Sequence, residues 1–367
     1  LSQTLFPTTV QPDVDELLAV LRRERAPERI HHIELFLDEE MIEAAAQRFG
    51  LAPKLDPSDP LYILKRDIDV HALLGYDVFR LGFVPLDLFP IPALKGDDTT
   101  TGGQSRGQRE WVEEHDAAIR DWADFESYPW PTIEQLDLSP VEWMEKNLPE
   151  GMGCFELTAH IFELLNFLQG YERLCYNLFD APNLVAAICE KVGKYYVKFT
   201  ELICDFECMS LIWGSDDLGF RSATMTSPEF LREQILPWHR ECARIAHQHG
   251  KPYLLHSCGN LDAVMEDLID TVGIDGKHSF EDTILPVSEA YERYGQRISI
   301  LGGIDVDFLC RASEDEIRRR VRETLEACTS RDHGSGYCLG TGNTVANYMP
   351  LDSYLVMLDE GRNYRLV

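Results

Sequence analysis

Short apolar runs alternate with helical segments along almost the whole chain, and this rhythm limits the fold more than any other feature. Eight runs stand out, at 31–36, 76–84, 152–157, 209–214, 252–256, 273–278, 298–302 and 336–340. Most are apolar throughout rather than alternating, the pattern of parallel strands covered on both faces. Helix signals fill the gaps. Ser227 ahead of Pro228 is an N-cap followed by a first-turn proline, opening a helix to about Gln248 that Gly250 stops. Ser313 and Glu316 make a capping box for a helix over 314–328. Asp180 and Pro182 open a long helix to about Asp205, and 262–269 reads as a short one.

Eight strands alternating with helices predict an α/β fold, a (β/α)8 TIM barrel forming a single domain over 1–367. An open doubly wound sheet is the rival arrangement, but the chain has no GxGxxG, and Gly340-Thr-Gly342 is only half of one. The rhythm breaks once, between strands two and three. There, 85–150 is a long insertion holding Asp97-Asp98, a threonine and glycine run, Trp111 and Tyr128-Pro-Trp-Pro131. It is expected to be a lid or partner surface, or, over 95–108, an excursion without order.

Charge narrows the partners. The chain carries 34 Lys and Arg against 63 Asp and Glu, a net charge of −29. Nucleic acid and anionic membranes need a basic footprint, so neither is expected as a main partner. No apolar run approaches the ~20 residues of a membrane span. The opening Leu-Ser-Gln-Thr-Leu-Phe has no basic and apolar stretch of a signal peptide. Ten scattered cysteines without a CxxC read as reduced thiols, so the expected compartment is cytoplasmic.

At the end of the 252–256 run stands His256-Ser-Cys258. Residues two apart on a strand point the same way, so an imidazole and a thiol are aimed at one spot. One nitrogen and one sulfur suit zinc, and a third ligand from elsewhere leaves a position open for chemistry. The plain alternative is a buried His and a buried thiol beside a glycine turn. Other strand ends are polar too: Glu34, Asp38, Glu156, the Asp216-Asp217 pair, Asp275, Lys277, His278, Asp305, Cys338 and Asn343. Chemistry in barrel enzymes gathers at such ends. Asp216, Asp217 and His278 are the candidate catalytic groups, orienting substrate and managing protons. Glu34, Glu156 and Asn343 are candidates for holding substrate. Asp282 and Asp305 read equally well as N-caps. Cys338, if it faces the interior, completes a His256/Cys258/Cys338 zinc set; otherwise it is a core thiol, and Glu156 or Asp217 supplies the ligand.

Six stretches carry a family resemblance: Asp217-Leu-Gly-Phe, Pro237-Trp-His, His256-Ser-Cys-Gly-Asn260, His278-Ser-Phe-Glu-Asp282, the run from Tyr294 through Gly302-Gly303 to Asp305, and Gly340-Thr-Gly-Asn343. They resemble the uroporphyrinogen decarboxylase superfamily, closest to its methyltransferase-like bacterial branch. The resemblance covers 150–367 well and 28–90 loosely, and it implies a (β/α)8 barrel. The superfamily's decarboxylases hold an acidic tetrapyrrole with an N-terminal Arg-Gln-Ala-Gly-Arg motif, which this chain lacks; the corresponding region begins Arg29-Ile-His-His. Their C-terminal Gly-His-Gly is replaced by Gly340-Thr341-Gly342. The resemblance therefore implies the other activity, zinc-dependent methyl transfer between a small substrate (thiol, methoxy or methylamine type) and a corrinoid carried by a partner protein. The insertion would then dock that corrinoid protein, and the chain would act as a monomer or homodimer. The alternative is a cofactor-free lyase acting on an acidic tetrapyrrole or aromatic carboxylate.

Overall fold

The computed structural model describes residues 5–6, 10–82, 88–97, 108–112, 117–329 and 336–366, with backbone alone for 93–97 and 108–112. Its strands are β1 (Val78–Arg80), β2 (Ala93–Asp97), β3 (Gln108–Val112), β4 (Gly153–Thr158), β5 (Met209–Ser215), β6 (Tyr253–His256), β7 (Gly276–His278), β8 (Ser299–Leu301) and β9 (Tyr337–Cys338). Seven of them form one sheet in the order β1-β4-β5-β6-β7-β8-β9, every pair parallel. Helices connect successive strands, so the sheet curls in the manner of a TIM barrel.

The expected first strand, at 31–36, is not a strand of this sheet. A single residue, His32, pairs in parallel with Tyr76 ahead of β1 and with Leu339 after β9. The segment mixes His31, His32 and Glu34 among its apolar residues. His31 and Glu34 take side-chain partners of their own, Asp77 and Thr341, and the regular ladder reduces to bridges.

The core has two parts. One lies between the sheet and its helices; β4 and β5 are buried along nearly their whole length because both faces are covered. The other fills the concave side, where Phe155, Trp213, Leu254, Leu301 and Cys338 meet Leu17, Val20 and Leu21. Those three leucine and valine side chains belong to the helix Val14–Leu21, capped by Asp13. The Val14 amide bonds to the Gly151 carbonyl just before β4, so this helix sits under the N-terminal ends of the strands.

The helix expected from Ser227 is present with a change of pitch. It runs Pro228–Phe230, relaxes to a π-turn over Leu231–Ile235, and continues as Leu236–Gln248. Pro237 has no amide to give to the turn before it, and the wider turn absorbs that loss. At Ser313 the Glu316 carboxylate reaches back as expected, accepting from the Ser313 amide at 2.8 Å and from its hydroxyl at 2.6 Å.

Within the insertion, 85–87, 98–107 and 113–116 lie outside the described residues. β2 and β3 pair as an antiparallel hairpin. From Ala117 onward the chain is built into the main core: Ile119, Val141 and Met144 are fully buried, and the Ile119 amide bonds to the Leu168 carbonyl. Phe89 stacks edge-on against Tyr195 of the long helix Pro182–Cys204, fastening the start of the insertion as well. Among the described residues no helix is long and apolar enough to cross a membrane.

Candidate metal centre

β6 delivers His256 at its last residue, and the chain then turns at Gly259. Gly259 has φ +84°, and a Cβ there would lie 2.2 Å from the Gly219 carbonyl carbon. Two backbones therefore touch where a side chain on Gly259 would hold them apart. The Asn260 amide bonds to the Phe220 carbonyl at 2.7 Å, and the Leu218 amide to Ser257 Oγ at 3.1 Å. This seam draws the loop after β5 against the loop after β6. It brings Asp217 to Cys258, whose amide donates to Asp217 Oδ1 at 2.9 Å.

The result is a cluster of three ligand atoms. Cys258 Sγ lies 3.5 Å from His256 Nε2, and that nitrogen lies 3.7 Å from Asp217 Oδ1. All three atoms fall within 4.8 Å of one another, the one such group of three among the described residues. His256 is buried, while the Asp217 side chain is 42% exposed, so the cluster opens outward.

The histidine is held in the form a metal needs. His278 Nε2 lies 3.2 Å from the Thr341 carbonyl, which can only accept, so this nitrogen carries a proton. Burial, with the neighbouring His256 adding to it, pushes His278 well below the ordinary histidine pKa; it is neutral and its Nδ1 is bare. His256 Nδ1, 2.8 Å from that bare nitrogen, must donate. Burial, then Lys277 and His160, push His256 down to about 3, so it too is neutral. Its Nε2 is left with a free lone pair facing Cys258 and Asp217. This is the outer support that fixes tautomer and ring orientation in metal-binding histidines. Gly302 makes room for it: a Cβ there would lie 2.1 Å from the Thr341 oxygen and 2.9 Å from His278 Nε2.

Thr341 is itself clamped by Glu34, which accepts from its amide at 2.8 Å and its hydroxyl at 2.6 Å. Burial pushes Glu34 up to about 8, against the pull of those two bonds. The sulfur is similarly dressed. Asn343 Nδ2 donates to Cys258 Sγ at 3.3 Å and Ser279 Oγ at 3.6 Å. Burial, reinforced by Asp217, pushes the Cys258 thiol up to about 12. A cation among the three groups reverses that balance, since a coordinating thiol gives up its proton. One imidazole nitrogen, one sulfur and one carboxylate oxygen form a donor set that zinc accepts.

The residues anticipated from sequence divide sharply. His256, Cys258 and Asp217 come together, with Asn343 and His278 against them. Asp216 does not join. Neighbours on an extended segment face opposite ways, and its carboxylate is taken by the Phe162 and Glu163 amides at 3.0 and 2.8 Å and by His239 at 2.9 Å. It anchors the start of the helix Ile161–Gln169. Cys338 is a fully buried member of the concave apolar cluster, outside the ligand group, and Asp217 stands where it was expected. Glu156 is buried, accepting from the Leu157 amide at 2.7 Å with Arg80 Nε at 3.7 Å. Glu34 supports Thr341 rather than facing the opening. Asp305 is an N-cap, accepting from the Phe308 amide.

Sequence reading missed Ser279, Thr341 and His160. Ser279 adopts φ +80°, a conformation unusual for a residue with a side chain and found mostly where the surroundings enforce it. Its signal was position, directly after His278 at the end of β7. His160 pairs with Glu163 at 2.9 Å beside the mouth, one residue beyond Ala159, which also has positive φ. Asn343 leads outward into an open cleft of about 940 Å³, also lined by Glu281, Asp305, Arg311 and Tyr348.

Among solved structures, a methyltransferase from Methanosarcina mazei matches with a TM-score of 0.70 at 14% identity, covering 96% of this chain and 98% of that one. At that identity the likeness is one of fold. A family 10 endo-β-1,4-xylanase from Gloeophyllum trabeum (TM-score 0.38, 8% identity, 66% of this chain and 84% of that one) carries no argument. Nor does a uronate isomerase from Bacillus halodurans (TM-score 0.33, 11% identity, 95% and 86%). No curated protein matches the chain. The family model described as uroporphyrinogen decarboxylase matches residues 139–364, a span holding Asp217, His256, Cys258, His278 and Thr341. With more than half its length matched, strands β4 to β9 included, this chain belongs to the uroporphyrinogen decarboxylase family.

Proposed function

We propose that the chain is a zinc-dependent methyltransferase that moves a methyl group between a small substrate and a corrinoid protein. The observation that carries this reading is the cluster of His256 Nε2, Cys258 Sγ and Asp217 Oδ1, with the His256 proton fixed on the far nitrogen. The fold shared with the Methanosarcina mazei methyltransferase supports it. His256, Cys258 and Asp217 would hold the metal, which supplies Lewis acidity to a thiol, methoxy or amine heteroatom. His278 and Thr341 keep the His256 lone pair aimed at it. Asn343 and Ser279 donate to the Cys258 sulfur and hold its direction. The curled sheet closes as a (β/α)8 barrel through the 31–36 segment, and the whole chain acts as one domain. The corrinoid protein docks over the mouth, using the hairpin β2–β3 of the 85–150 insertion. The part from Ala117 onward is fixed in the core and serves as its base.

The test is elemental analysis of the full chain, purified without chelator and offered zinc, beside Cys258→Ala. About one zinc per chain, lost in the variant, is the expected result. A wild type without zinc would sink the metal mechanism and turn attention to the cofactor-free lyase.

A further inference from the structure

We propose that Cys154 and Cys208 form a reversible dithiol–disulfide pair at the N-terminal face of the sheet, oxidised by a hydroperoxide. The pair is remote from the candidate metal centre and does not depend on that reading. Cys154 is the second residue of β4, and Cys208 stands directly before β5, whereas the metal ligands lie at and beyond strand C-termini. Cys154 Sγ donates to Cys208 Sγ at 3.4 Å, close to van der Waals contact. The backbones are already joined: the Cys154 amide bonds to the Cys208 carbonyl at 2.8 Å, and Cys154 is paired with Met209 across the parallel ladder. Adjacent strands run about 4.8 Å apart, within the Cα range a disulfide accepts, so bond formation asks mainly for side-chain rotation.

The two sulfurs are unequal in a useful way. Cys154 is fully buried, and burial raises its pKa well above the usual thiol value. Cys208 is only partly buried, and the bond it accepts from Cys154, with a smaller contribution from Lys251, lowers its pKa. A reachable sulfur with more thiolate character beside a shielded thiol is the arrangement of an attacking and a resolving cysteine. Cys208 as thiolate attacks a peroxide oxygen. The O–O bond breaks, Cys208 becomes a sulfenic acid, and the departing alkoxide or hydroxide takes up a proton. Cys154 then loses its proton and attacks the Cys208 sulfur, and the S–O bond breaks with loss of water. Two thiols and one hydroperoxide give one disulfide, one alcohol (water, for hydrogen peroxide) and one water. The thiols lose two electrons and the peroxide gains them.

The experiment uses the full chain and hydrogen peroxide, raised until the exposed Cys175 is consumed, followed by alkylation and peptide mapping. A peptide linked through Cys154 and Cys208, released by dithiothreitol, is expected. A higher Tm should accompany it, because the link closes a loop around the helices between β4 and β5. In Cys154→Ser, Cys208 should stop at a sulfenic acid that dimedone traps; in Cys208→Ser, Cys154 should stay a free thiol. The proposal is overturned if the wild type consumes Cys175 while Cys154 and Cys208 remain alkylatable. It is also overturned if Cys208 oxidises without the linked peptide forming.

Discussion

Two histidines, each buried beside carboxylates, stand at opposite ends of the sheet and have been put to opposite uses. Beneath the strands, His31 Nδ1 lies 2.7 Å from Asp77 Oδ2, and Nε2 lies 3.5 Å from Glu16 Oε2. Asp77 also takes the Asp13 amide at 2.7 Å and the Arg29 guanidinium. Burial works against a charged His31, but the bonds to Asp77 and Glu16 outweigh it, and its pKa is raised. Glu16 is lowered to about 2, chiefly by His31. At the mouth, His256 faces a neutral histidine instead, and its pKa falls to about 3. The lesson is that the neighbour of Nδ1 decides the job. A carboxylate there makes an ion pair that ties down the chain; a neutral imidazole there leaves Nε2 as a bare donor.

The division can be attacked from both ends. The largest effect expected is at the mouth: Cys258→Ala should abolish zinc binding while moving the stability of the metal-free protein by less than about 1 kcal/mol. Elemental analysis and urea unfolding read the two quantities separately. Beneath the strands the pattern should invert. Asp77→Asn removes the carboxylate shared by Arg29 and His31, leaving Glu16 as the remaining acid beside His31, and should cost roughly 3–5 kcal/mol, seen as a lower urea midpoint, with zinc per folded chain unchanged. Loss of zinc in Asp77→Asn would mean that the two ends are not independent.

A smaller effect sharpens the role of the outer histidine. His278→Phe removes the acceptor for His256 Nδ1 and should weaken zinc by roughly 10–100-fold, measured by competition with a chromophoric chelator. Unchanged affinity would show that His256 is oriented by something else. The smallest effect is one of pH. A folded-state pKa raised above the unfolded value of ~6.5 contributes stability that is complete below that value and is lost as pH rises through the folded pKa. The stability gap between wild type and His31→Phe should therefore narrow from pH 6 towards pH 9 on the ~6.5 reference scale. A gap that widened would reverse the assigned sign.

Much of this was legible because periodicity and burial speak directly. Seven of the eight apolar runs became parallel strands, since covering both faces leaves a continuous apolar signature. The shared aim of His256 and Cys258 followed from strand alternation. The same rule should have separated Asp216 from Asp217; read as a pair, they concealed that one is a helix anchor. Cys338 was harder. Its strand faces the concave interior, as the His/Cys/Cys reading required, but depth along the barrel depends on how neighbouring strands are staggered, and one strand's pattern carries no record of that. Thr341 was hidden for another reason: the contact to His278 is made by its carbonyl, which every residue has, and its hydroxyl and amide are spent on Glu34.

The helix Val14–Leu21, pressed up beneath the strands with Leu17, Val20 and Leu21 against Trp213 and Leu254, turns the interior into a blind well. A blind well has one doorway. Whatever reaches Cys258 from the mouth must leave along the path by which it came. Under the proposed methyl transfer two guests would share that doorway, each visit ending before the next begins, and the slower to depart would govern the pace.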